Sequence, residues 1–251
     1  MSHLMNNYGR LPVSFDHGQG VWLWDKEGHK YLDALAGIAV NSVGHAHPRL
    51  VRAIADQASK LIHCSNYFNI DLQEQVAEKL VEHSGLEAVF FCNSGLEANE
   101  CAIKIARKFG HAKGIEVPNI IVLKHAFHGR SIATLSATGN PSVREDFSPY
   151  TEGFIFVDES DLDGIRKIVE ENKNVVAIFF EPILGEGGVV PVDLSVIKGI
   201  REICDEHDLL MMCDEVQCGM GRSGKWFAHQ WAEIKPDVIT MAKGLAGGVP
   251  V

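Results

Sequence analysis

From Ala88 to Val216, short apolar runs alternate with stretches whose apolar residues recur every three or four positions. Strand-sized runs alternating with helix-period segments mark an α/β protein with a mostly parallel sheet. The runs AVFFCN (88–93), NIIVLKHA (119–126), GFIFV (153–157), VVAIFFEP (175–182) and LLMMCDEV (209–216) are five candidate strands, four of them nearly all apolar. Runs of that kind are buried on both faces, so helices should cover the sheet on both sides. The spacing predicts helices from the first run to Phe109, over Asp161–Glu171 and near Val196–His207. Ser94 with Glu97 reads as a capping box at the start of the first, and Ala98, Cys101, Ala102, Ile105, Ala106 and Phe109 form its apolar stripe.

Upstream, residues 13–33 read as an extended, hairpin-like arm, with VWLWD and KYLDAL separated by the turn Lys26-Glu27-Gly28. Leu50, Ile54, Ala58 and Leu61, then Leu72, Val76 and Leu80, recur at helical spacing on either side of the loop Asn66 to Asn69. The expected organisation is an N-terminal arm belonging to a smaller domain (1–45) and a large domain (46–251).

Bulk properties narrow the function. Of 251 residues 46% are apolar and 22% charged, which is globular, and the net charge of −10 disfavours a nucleic acid partner. The longest apolar runs are strand-sized, so no membrane span is expected, and the N-terminus has no basic start leading into an apolar core. The six cysteines are scattered through periodic segments, which fits reduced thiols in a cytoplasmic protein.

Ligands of open α/β sheets sit at the carboxyl ends of the strands, and the chemistry is to be sought there. Gly95 and Leu96 open a helix with free N–H groups, an arrangement that suits phosphate but more often only caps a helix. Phe127 could stack on a flat ring, although such a residue is more often core, and Arg130 is a planar fork for a carboxylate or simply a surface charge. His125 and His128 lack a third ligand nearby, so no metal site is expected. Glu181 ends a buried strand, and Glu186 stands among glycines. Asp214 also ends an apolar strand, where a carboxylate is costly without a cationic partner such as a pyridinium nitrogen. Glu215 and Val216 follow it, and Gln217 offers an amide to a phenolic oxygen. Lys243, between ITMA and a glycine-rich turn, would have its ammonium desolvated, as a Schiff-base lysine requires.

GMGRSG (219–224) also matches G-x-G-x-x-G after a strand, with Asp237 downstream, the fingerprint of an NAD-linked oxidoreductase. The segment that follows is short and aromatic and ends at Pro236, so it supplies no clean helix. A non-catalytic binding protein is the other alternative.

The order of NSGLEANE, HAFHGR, EPILGEGG, DEVQCGMGR and AKG, with YLDALAGIAVNSVGHAHP upstream, resembles class III aminotransferases from about Tyr8 to the end. Within that class the segments are most similar to acetylornithine aminotransferases, with ornithine and 4-aminobutyrate aminotransferases as near relatives. The resemblance implies the type I fold of enzymes dependent on pyridoxal 5′-phosphate, with Lys243 as Schiff-base lysine and Asp214 as partner of the ring nitrogen. It further places Gly95 and Leu96 at the phosphate and Phe127 against the ring. Val216 lies beneath the ring, Gln217 faces its phenolic oxygen, and Glu215 is grouped with these cofactor contacts. Arg130 and Glu186 are implied as substrate-binding, for an ornithine-type amino donor and 2-oxoglutarate in arginine biosynthesis. Relatives of the family are homodimers and continue beyond the lysine with a further sheet strand. An exposed strand edge and poor solubility are therefore expected of these 251 residues alone.

Overall fold

The computed structural model describes residues 3–251. Packing divides the chain into one unit ending at Phe68 and another running from Asn69 to Val251. The division therefore lies downstream of the 45/46 position read from the sequence.

In the first unit, β1 (Phe15–Gln19), β2 (Trp22–Asp25) and β3 (Lys30–Leu32) form an antiparallel sheet in that order. The Lys26–Gly28 turn is organised by Asp25. Its carboxylate accepts the backbone N–H of Glu27 at 3.0 Å and of His29 at 2.8 Å, and the Tyr31 hydroxyl at 2.8 Å. A short helical turn, α1 (Ala36–Ala39), precedes α2 (Pro48–Ala58), whose Pro48 occupies the first turn, where its missing N–H costs nothing. The helical spacing reaches Leu61, but the helix stops at Ala58.

The second unit opens with α3 (Asp71–Ser84), closed by Gly85 in the left-handed region, and α4 (Gly95–Ala112). Then come β4 (Asn119–Leu123), α5 (Ile132–Ala137), α6 (Pro141–Arg144), β5 (Phe154–Val157), α7 (Leu162–Glu171) and β6 (Val175–Phe180). After the two-residue strands β7 (Ile183–Leu184) and β8 (Val190–Pro191), the chain continues through α8 (Leu194–His207), β9 (Leu210–Asp214) and β10 (Val238–Thr240). The main sheet has the order β10-β9-β6-β4-β5, and every pair in it is parallel.

Every residue of β6 is buried, as its unbroken apolar run requires. Side chains alternate across the sheet with a period of two. Ile178 and Phe180 pack in one cluster with Ile165 of α7 and Ile200 of α8. Ala177 and Phe179 belong to a second cluster that includes Ala102, Ile103 and Ala106 of α4. Full burial of each such Ile or Phe contributes roughly 1.5–3 kcal/mol.

Two expectations need correction. Ala88–Asn93 forms no strand, and the fifth strand of the sheet is β10 instead. A strand exists only with a neighbour some 4.7–4.9 Å away. Here a cavity of about 980 Å³ lies between 86–92 and 237–241. The same cavity explains why the stripe of α4 is turned from its predicted position. Ala98, Cys101 and Ile105 line it, while Asn99, Ala102, Ile103, Ala106 and Gly110 are the buried face.

Candidate active site

The carboxyl end of the sheet gathers most of the residues singled out above. Asp214, the last residue of β9, is 2% exposed. Its Oδ1 accepts the backbone N–H of Val216 at 3.1 Å. Its Oδ2 is 2.7 Å from Nδ1 of His128 and accepts Nδ2 of Asn99, also at 2.7 Å. His128 lies flat on Phe179, with ring centroids 4.1 Å apart. Asn99 also donates to the carbonyl of His128 at 2.8 Å, tying α4 to the loop after β4. Neither residue was expected in the site. The available signal was Asn99, a polar side chain within an otherwise apolar helix face.

His125 pairs with Glu159 at 2.9 Å and His128 with Asp214, so the two histidines do not share a site. Among the described residues no group of three or more His, Cys, Asp or Glu side chains could hold a metal ion.

Glu181, the residue after β6, is 5% exposed. Its Oε2 accepts the N–H of Phe127 at 2.8 Å and its Oε1 that of Gly185 at 3.2 Å. Burial, with Asp214 nearby, pushes its carboxyl up to about 7, against the opposing pull of His128 and these two N–H groups.

Thr240 of β10 is the register partner of Asp214, which sets Lys243 three residues past the same end of the sheet. Lys243 is half-buried, adopts a left-handed φ of 46°, and makes no hydrogen bond or ion pair among the described residues. Burial lowers its pKa, and the acids Glu186, Asp214 and Glu181 partly offset that fall. An amine in that state is a better nucleophile near neutrality than a surface lysine.

At the start of α4, Ser94 accepts the N–H of Glu97 at 3.3 Å, while Glu97 reaches back to the N–H of Asn93 at 2.6 Å, one residue upstream of the expected box. Gly95 and Leu96 keep their N–H groups uncommitted among the described residues. A side chain at Gly95 would meet Val216 and Ala242, so its absence lets the helix start approach the ends of β9 and β10. Gln217 is likewise packed onto the backbone of Gly185, where a β-carbon would collide with its side-chain amide. Arg130 and Glu186 are exposed, and Arg130 has no hydrogen bond or ion pair among the described residues.

Glu215 is placed differently from the expectation. Both its carboxylate oxygens are engaged, Oε1 with the N–H and Nδ1 of His229 and Oε2 with the N–H of Ala228 and the thiol of Cys218. Its side chain secures the turn after β9, and it has no acceptor to spare for a cofactor. The G-x-G-x-x-G match at 219–224 lies in turns followed by a short 3-10 helix, Ala228–Ala232, so no α-helix opens within it. Asp237 is occupied by Arg201 and the N–H of Met211. The dinucleotide reading has no structural support.

The family profile described as Aminotransferase class-III matches residues 4–251. The chain belongs to the class III aminotransferases. It is 54% identical over 251 residues to an acetylornithine aminotransferase of Nitrosomonas europaea, covering 100% of this chain and 64% of that relative. An acetylornithine aminotransferase of Synechocystis sp. is 50% identical over 256 residues, with 60% of its length covered. Among solved structures, an ornithine aminotransferase from Toxoplasma gondii ME49 superposes with a TM-score of 0.94 at 34% identity, over 99% of this chain and 59% of that one. N-acetylornithine aminotransferase from Stenotrophomonas maltophilia K279a gives 0.84 at 40% identity, over 97% and 61%. A further structure of the T. gondii enzyme has PLP at partial occupancy in its active site. The chain thus spans less than two thirds of the length of these relatives. Its parallel sheet flanked by helices is the type I fold of pyridoxal-phosphate-dependent aminotransferases.

Proposed function

We propose that this chain supplies the cofactor-binding and much of the substrate-binding part of an aminotransferase that moves the amino group of N-acetylornithine, or a related ω-amino donor, to 2-oxoglutarate. The observation that carries the reading is the buried carboxylate of Asp214 beside the unpartnered amine of Lys243, at the ends of neighbouring strands. Acetylornithine aminotransferases about 50% identical over the whole chain favour that donor over ornithine or 4-aminobutyrate.

The residues present fit pyridoxal 5′-phosphate. Asp214 is buried with three donors already on its carboxylate, which keeps it an acceptor for a protonated ring nitrogen. The uncommitted N–H groups of Gly95 and Leu96 sit at the positive end of an 18-residue helix, where a phosphate is favoured. Val216, Phe127 and Gln217 would border the ring. When bound, the cofactor supplies an electron sink for the carbanion left at the amino-bearing carbon.

The protein's own part is binding and proton movement. Asp214 holds a proton on the ring nitrogen by opposite charge. Lys243, poised by its lowered pKa, takes the proton from the donor's carbon and returns it as general base and acid. Arg130 grips a substrate carboxylate through its guanidinium fork, and Glu186 sorts which substrate group is engaged. Assembly as a homodimer belongs to the same proposal.

The test is borohydride reduction of the cofactor-loaded protein, followed by peptide mass mapping and turnover with N-acetylornithine and 2-oxoglutarate. A phosphopyridoxyl adduct on Lys243 and turnover of that pair are expected. An adduct on another lysine, or turnover of a different donor only, overturns the corresponding half of the proposal.

A further inference from the structure

We infer that Glu181 is a positioning residue whose ionised carboxylate fastens together the loops that carry Phe127 and Gly185 at the proposed cofactor site. The inference rests on the cofactor reading proposed above and gives that site a device of its own.

The geometry is a two-point clamp. Oε2 accepts the N–H of Phe127, in the loop after β4, and Oε1 accepts the N–H of Gly185, in the turn after β7. Phe127 is the residue assigned to the face of the ring. Gly185 lies directly against Gln217, the residue assigned to the phenolic oxygen. One carboxylate thus ties the loop of Phe127 to the turn that abuts Gln217.

The clamp needs both oxygens as acceptors. In a protonated carboxyl one oxygen carries the proton and becomes a poorer acceptor, so protonation weakens one of the two points. The titratable groups facing Glu181 are Asp214 at the end of β9, His128 in the loop after β4, and Lys243 beyond β10. Burial first and Asp214 second oppose ionisation, whereas His128 and the two N–H groups favour it, and the balance lies at about 7. A carboxylate that is costly to ionise is poorly explained as a stabiliser of the fold. Position is the better account.

The test uses pyridoxamine 5′-phosphate, whose amine cannot condense with Lys243. Its dissociation constant is measured by equilibrium dialysis from about pH 6 to about pH 8.5 for the wild type and Glu181→Gln. The ratio of the two cancels the ligand's own titrations. Glu181→Gln should bind about tenfold more weakly at the upper end, the scale of one buried hydrogen bond to a charged group. The ratio should approach one at the lower end. A ratio that is constant with pH, or near one throughout, overturns the inference.

Hydrogen exchange on the wild type reads the clamp even where the variant does not fold or no cofactor binds. Peptides containing Phe127 and Gly185 should become better protected as pH rises through about 7, after correction for intrinsic rates. Flat protection overturns the inference, whereas failure of the wild type to take up the cofactor counts against the functional reading alone.

Discussion

A β-carbon built on Gly95 would stand 2.6 Å from Cγ1 and 2.9 Å from Cγ2 of Val216. The first residue of α4 and the second residue after Asp214 therefore approach one another only because position 95 has no side chain. Gly95→Ala should push the phosphate-binding helix start away from the ring site and weaken cofactor retention by roughly 1–3 kcal/mol, the usual cost of overpacking. Val216→Ala removes both clashing methyl groups, so the double variant should recover much of that loss. Cofactor dissociation constants for the four proteins close the cycle. Additive losses would show that Gly95 acts through something other than this contact.

Asp214→Asn should leave the fold intact and remove most transamination. An amide has one acceptor oxygen for the donors of Val216, His128 and Asn99, and no charge with which to hold a proton on a ring nitrogen. Losing one partner of a buried charge pair costs roughly 3–5 kcal/mol, so kcat should fall about 10²- to 10⁴-fold. Near-normal turnover with an unchanged circular dichroism spectrum would remove Asp214 from the proposed role.

Arg130 is exposed and has no partner of its own among the described residues, so its fork is available to a ligand. Arg130→Lys should chiefly raise KM, because an ammonium cannot reproduce bidentate carboxylate binding. The absorption spectrum of bound cofactor should not change. Loss of cofactor with normal KM would mean that Arg130 is part of the cofactor cradle instead.

The lowered pKa of Lys243 carries a stability signature. Between its folded value and the ordinary 10.5, the unfolded chain binds more protons than the folded one, so folding stability rises with pH across that window. Below the window, folding carries the full cost of a half-buried ammonium. Lys243→Met, measured without cofactor, should therefore raise the melting temperature most below the window, with the gain shrinking as pH approaches 10.5. A pH-independent difference would show that burial does not bear on the Lys243 ammonium.

The alternation of runs disclosed β4, β5, β6 and β9 with their helices, since strands buried on both faces have no polar positions to obscure them. Asp214, Lys243 and Gly95 were legible because chemistry-bearing residues at strand ends and helix starts interrupt apolar stretches. The cluster of Asn99, His128 and Glu181 around Asp214 was not, because it joins four separate segments, and hydrogen bonds across more than eighty positions leave no local periodicity. Glu215 misled for a related reason. Its place beside Asp214 gave no sign that its side chain turns toward 228–229. Ala88–Asn93 is as apolar as any strand, yet apolarity records burial and not pairing, so it could not reveal the missing neighbour.

The gap between 86–92 and β10 also imposes an order of events during synthesis. Phe90 and Phe91 leave the ribosome well before β10, the strand edge across the gap. No strand of the sheet pairs with the segment even after folding, and Phe90 remains 68% exposed. A nascent chain in that condition offers an extended apolar stretch to any chaperone that binds such segments while the sheet is still being made. Slower translation between Asn93 and Val238 lengthens that exposure without altering a single contact of the finished fold.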